Sequence, residues 1–126
     1  MNNTSKTQKI IYWGLTALVG FIFLGSAISK LTANAEGIKI AAGFGIDAST
    51  YSMLGIIELV SVILFIIPRT GVVGTFLLAA YMGGAIATHV QNGISIVAPC
   101  IIQTFVLVVA FYRFPALRTD LLKSKS

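Results

Sequence analysis

The sequence predicts an all-α membrane protein, a four-transmembrane-helix bundle running up, down, up and down. Three observations carry this. Of 126 residues, 56% are hydrophobic and only 10% charged, whereas a soluble domain holds about 25% charged residues; the mean hydropathy is +0.91. The apolar residues gather into four runs, at residues 10–29, 50–67, 71–90 and 94–112, each close to the roughly 20 residues that cross a bilayer as helix. The basic residues cluster at the ends of those runs and not along any one of them. At this length the whole chain, residues 1–126, is expected to form a single membrane domain.

The first run, IIYWGLTALVGFIFLGSAIS (10–29), follows Lys6 and Lys9 and ends near Gly25-Ser26-Ala27, which resembles a signal-peptide cleavage site. Its apolar stretch exceeds the roughly 7 to 15 residues of a signal core, so a retained helix is expected. Residues 30–49 (KLTANAEGIKIAAGFGIDAS) mix Lys30, Lys39, Glu36 and Asp47 with Ile38, Ile40, Ala41, Ala42 and Phe44. A partly ordered loop or a short interfacial helix over the outer mouth of the bundle is expected there. The second run, TYSMLGIIELVSVILFII (50–67), is joined to the third through Pro68-Arg69-Thr70, and the third to the fourth through Gln91-Asn92-Gly93. Connections this short make consecutive helices antiparallel neighbours.

In the third run, Ala79, Gly83 and Ala87 recur every four residues beside Ala80, Gly84 and Thr88. Such a small-residue face predicts close helix packing. The fourth run, ISIVAPCIIQTFVLVVAFY (94–112), contains Pro99, which is expected to remove a backbone bond and kink the helix near Gln103. Strands are a poor alternative because the runs are continuous and rich in Ala, Leu and Gly.

With four crossings both termini share one side, which then holds Lys6, Lys9, Arg69, Arg113, Arg118, Lys123 and Lys125, against Lys30 and Lys39 opposite. The positive-inside rule places the N- and C-termini in the cytoplasm. The net charge of +5 is explained by these flanking bases, and no nucleic-acid partner is implied.

One acid breaks the apolar pattern. Glu58 lies roughly 12 Å below the outer end of the second helix at 1.5 Å per residue, where a lipid-facing carboxylate is costly. It should face the bundle interior and there either find a partner or stay protonated. Depth matching sets Gln103, Met82 and Tyr81 level with Glu58, and puts Lys30 and His89 nearer the outer surface. A polar cluster of Lys30, Glu58 and His89 in the outer leaflet, with Gln103 as its floor, is therefore expected. Read alone, Lys30 is an interface anchor and His89 a headgroup-level residue. A buried ion pair can also fix helix register without doing chemistry. Cys100 is the only cysteine and His89 the only histidine, so no metal, haem or Cys-x-x-Cys site is expected within one protomer.

The order GSAISKL in the first run, GIIELV in the second, the turn IPRTGVVG and then YMGGAIATHV in the third resembles the DoxX-like family, part of the wider DoxX family of integral membrane proteins. The resemblance covers about residues 10–112, and Lys30, Glu58 and His89 in that order are its most specific part. It implies a multi-pass protein of the bacterial cytoplasmic (inner) membrane. Some relatives are named as small subunits of quinone-linked sulfur oxidation or terminal quinol oxidase systems. The Cys-x-x-Cys pairs of more distant redox relatives are missing, which argues against a thiol–disulfide role.

The expected function is thus an accessory or binding subunit of a quinone-linked redox system. It would not be an enzyme on its own, its partners would be the lipid bilayer and a redox subunit or further copies of itself, and a quinone would sit at the polar cluster. A small proton-coupled exporter of cationic compounds is the alternative, since the length and single membrane acid resemble the small multidrug resistance transporters. In those proteins, however, the acid lies in the first helix. A purely structural or assembly protein is the third reading.

Overall fold

The computed structural model describes residues 2–32 and 35–119, and over them the chain is helical with no strand. Lys123 and Lys125 lie outside the described residues. The main helices are α1 (Asn2–Leu31), the shorter α2 (Ala35–Gly43), and then α3 (Ala48–Ile66), α4 (Gly71–Gln91) and α5 (Val97–Arg113), which like α1 are long. A 3-10 turn, Pro68–Thr70, joins α3 to α4, and a short helical turn, Pro115–Leu117, follows α5. Three stretches, Lys6–Leu31, Ala48–Ile66 and Pro68–Gln91, are long and apolar enough to cross a membrane. The fourth, Val97–Arg113, has 17 residues, about 25 Å of helix.

That fourth helix starts later than the expected residue 94, because α4 ends in a left-handed cap. Gly93 sits at φ 67°, and the Gly93 and Ile94 amides donate back to the Val90 and His89 carbonyls at 3.1 and 2.9 Å. This pair of bonds closes the end of a helix and turns the chain away. Gly45 repeats the device after α2, at φ 78°, with Gly45 and Ile46 donating to Ala42 and Ala41 at 3.0 and 2.9 Å. Asp47 then caps α3 by accepting the Thr50 amide at 2.8 Å, which moves the start of that helix ahead of residue 50.

The late start of α5 also changes what Pro99 does. It is the third residue of the helix, where an amide would have no intrahelical acceptor in any case. The first helical bond runs from the Cys100 amide to the Ile96 carbonyl at 3.0 Å. Pro99 therefore removes nothing and gives no ground for the expected kink.

The core threads the four long helices: Val19 and Phe23 of α1, Val62 and Phe65 of α3, Leu78 and Met82 of α4, Val106 and Val109 of α5. α3 is central, packing on α1, α4 and α2. The small-residue face of α4 does not make the close packing expected of it. A Cβ built at Gly83 or Gly84 would meet nothing within 4 Å. The close approach of α4 is at Gly74, whose missing Cβ leaves room for the Phe65 backbone of α3.

Candidate functional site

Glu58 belongs to the buried stripe of α3, with Gly55, Ser61, Val62 and Phe65, a spacing of three and four residues that places them on one face. Gly55, one turn before the acid, lets α1 come close: a Cβ there would stand 2.8 Å from the Lys30 Cβ and 3.3 Å from the Ala27 carbonyl. On α1, Ser26 and Lys30 are four residues apart, so both reach the same point.

Three donors converge on Glu58 Oε1. Lys30 Nζ and Ser26 Oγ each donate to it at 3.1 Å, and Tyr81 donates its hydroxyl from α4 at 3.3 Å. Lys30 Nζ also donates to Ser26 Oγ at 2.7 Å and stands 5.9 Å from the ring centres of both Tyr51 and Tyr81, within reach of their negative faces. The Glu58 side chain is 2% exposed and that of Lys30 18%. The acid is thus sealed, and its counter-ion is not.

Lys30 opens onto a cavity of about 650 Å³ between α2, α3 and α4. Tyr51, Tyr81 and His89 give it further polar edges, while Leu54, Ile57, Leu77 and Phe44 wall it with hydrocarbon. Ala80, Gly84 and Thr88 line it as well, so one row of the small-residue face makes room for a cavity. Exposed Ile57 and Leu77 lie along its side, and in a bilayer that side looks into lipid. Glu58 does not line the cavity.

His89 shares this cavity but is bonded elsewhere. Its Nδ1 lies 2.7 Å from the Ala85 carbonyl, which can only accept, so the neutral ring carries its proton on Nδ1 and its lone pair on Nε2. The ring leans on Phe44 of the α2–α3 link with centroids 5.1 Å apart. The structure does not bring Gln103 to the cluster. Its Nε2 donates to the Ala79 carbonyl at 3.1 Å, tying α5 to α4, while its Oε1 is buried without a partner.

Sequence reasoning passed over Ser26 and Tyr51, and named Tyr81 only as level with Glu58. The spacing of Ser26 to Lys30 was the available signal for the first. Sequence reasoning also treated Arg113 as a flanking base, yet it is 4% exposed. Its Nη1 and Nη2 donate to the Phe65 and Ile66 carbonyls at 2.7 and 3.2 Å. Those carbonyls end α3, where backbone acceptors are unpaired and the helix dipole favours a cation. The rings of Tyr12, Phe65 and Phe114 surround the guanidinium at 4.9, 4.7 and 4.6 Å, and its Nε has no partner.

Long apolar helices with lipid-compatible outer faces, holding an ion pair in their interior, define a multi-pass membrane protein. The sequence model of the DoxX-like family matches residues 14–112, and the chain belongs to that family. The match takes in Ser26, Lys30, Glu58, Tyr81 and His89. No curated protein and no solved structure matches the chain.

Proposed function

We propose that the chain crosses the bacterial cytoplasmic membrane four times, as one up-down-up-down domain with both termini in the cytoplasm, and acts as a binding subunit for a small amphiphile. A quinone is the first candidate. The carrying observation is the cavity of about 650 Å³ with an ammonium at its polar edge and apolar walls along an exposed flank. A volume between about 300 and 1,000 Å³ suits a small ligand, and a flank in lipid admits one that dissolves there.

The residues fit a quinone headgroup. Lys30 donates to a carbonyl oxygen, Glu58 and Ser26 hold Lys30 in place, and His89 Nε2 accepts from a hydroxyl when the ring of the ligand is reduced. A bound quinone would supply the redox chemistry, with its electrons coming from a cofactor on a partner subunit. The exporter alternative fits less well: a cationic drug entering the cavity meets Lys30 first, and Oε1 of Glu58 already takes three donors.

A short-chain ubiquinone titrated into the protein in mild detergent is expected to raise its melting temperature. Lys30→Met should abolish that rise, and a quinone should appear among co-purified lipids. An equal rise in Lys30→Met would sink the reading. Reporter fusions after Ser126 and within Pro68–Thr70 should read cytoplasmic, and those near Ala42 or Asn92 outside.

A further inference from the structure

At the opposite end from Glu58, a notch of about 450 Å³ lies between the start of α1 and the end of α5, framed by Gln8, Lys9, Tyr12, Trp13, Tyr112 and Arg118. Tyr112 apart, these residues stand outside the span that matches the family.

The walls are held from behind. Tyr12 lies under the Arg113 guanidinium, and Trp13 rests edge-on against Tyr12 with centroids 5.0 Å apart. Tyr112 donates its hydroxyl to the Gln8 carbonyl at 3.4 Å. Arg118 folds back after Pro115 and donates Nη1 to the Phe111 and Tyr112 carbonyls at 2.7 and 3.0 Å, acceptors that the end of α5 leaves open. Its charge is thereby fixed beside the notch. Lys9, exposed on α1, brings a second cation. Among the described residues that line the notch there is no carboxylate.

We propose that this notch seats the headgroup phosphate of an anionic phospholipid. Two cations attract a phosphodiester, and the tyrosine and tryptophan rings belong at headgroup depth. A zwitterionic headgroup would bring an ammonium to a site whose described residues offer it no acid. The acyl chains have a place to lie, since α1 and α5 touch only lightly and both carry exposed apolar side chains further along, such as Leu18 and Val108.

The test is native mass spectrometry of the full chain in mild detergent with phosphatidylglycerol or phosphatidylcholine. Phosphatidylglycerol is expected to be retained preferentially, and Lys9→Gln should weaken it about fivefold, the effect of one base near a membrane phosphate. Among the described residues Lys9 makes no bond that the fold depends on, so the melting temperature of the variant should hold. Lys39→Gln, on α2, should change nothing. Equal retention of the two lipids, no loss in Lys9→Gln, or displacement of phosphatidylglycerol by inorganic phosphate alone would each overturn the proposal.

Discussion

Two buried charges on either side of the core are neutralised in different ways. Glu58 and Phe65 are seven residues apart on α3, roughly 10 Å along the helix. At Phe65, Arg113 finds backbone carbonyls and aromatic faces, and the guanidinium closes the end of α3. At Glu58 the counter-ion is a lysine whose ammonium also faces a cavity. A charge satisfied by helix-end carbonyls is used up in holding the fold. A charge whose partner borders open space keeps the ability to meet something else. The difference separates a buried charge spent on the fold from one whose partner is a candidate for binding.

The largest expected effect is at the closed end. Arg113→Met removes two charge-assisted bonds to carbonyls and leaves the Phe65 and Ile66 carbonyls unpaired, a loss of about 3 to 4 kcal/mol in unfolding free energy. Arg113→Lys should recover only part of it, since an ammonium cannot reproduce the fork. Thermal or denaturant unfolding in detergent measures both. A stable Arg113→Met protein would mean the carbonyls are satisfied without the guanidinium.

Next in size is the open end. Glu58→Gln and Lys30→Met should each cost about 2 kcal/mol, less than at Arg113 because Lys30 is partly exposed to screening. The double variant should cost less than the sum, with a coupling of about 1 to 2 kcal/mol. Glu58→Gln combined with Arg113→Lys should instead be additive within about 0.5 kcal/mol, as the sites share no partner. Coupling between the two ends, or none between Lys30 and Glu58, would erase the distinction between the two charges.

Glycines sharpen it further. Gly55→Ala presses on Lys30 and the Ala27 carbonyl, and about 1 to 2 kcal/mol of stability should be lost as α1 is pushed from α3. A Cβ at Gly84 meets no neighbour within 4 Å, and Gly84→Leu extends from there into the cavity wall. It should leave melting nearly unchanged while removing the ubiquinone-dependent rise. Lost stability in Gly84→Leu would show that the cavity closes in the bilayer.

The smallest effect concerns the mouth of the open end. Asp47 accepts the Thr50 amide at the start of α3, which holds its carboxyl below the ordinary value of 3.8. A depressed pKa stabilises the fold above the unfolded value, and that contribution fades as pH falls from about 4 through the folded value. The melting difference between wild type and Asp47→Ala should therefore be constant near neutrality and shrink below pH 4. A difference that persists undiminished at pH 2 would assign it to something other than the charged cap.

Much of this molecule follows from its sequence alone. Apolar run length marked the long helices, turn residues marked the breaks between them, and the cost of a carboxylate in hydrocarbon required Glu58 to turn inward. What the sequence left open was which face of each helix meets protein. In a bilayer the lipid-facing side is as apolar as the core, so exposed Phe21 and buried Phe23 read alike and periodicity cannot separate them. For that reason the small-residue face of α4 promised close packing, while the fold set a cavity against it. Pro99 promised a kink, but the Gly93 cap shifted the helix start and put the proline where it disturbs nothing. Ser26 and Tyr81 joined Glu58, and Arg113 found its carbonyls 48 and 47 residues back along the chain, only once α1, α3, α4 and α5 were assembled. Those partners are chosen by distance in space, which a pattern of hydrophobicity along the chain does not encode.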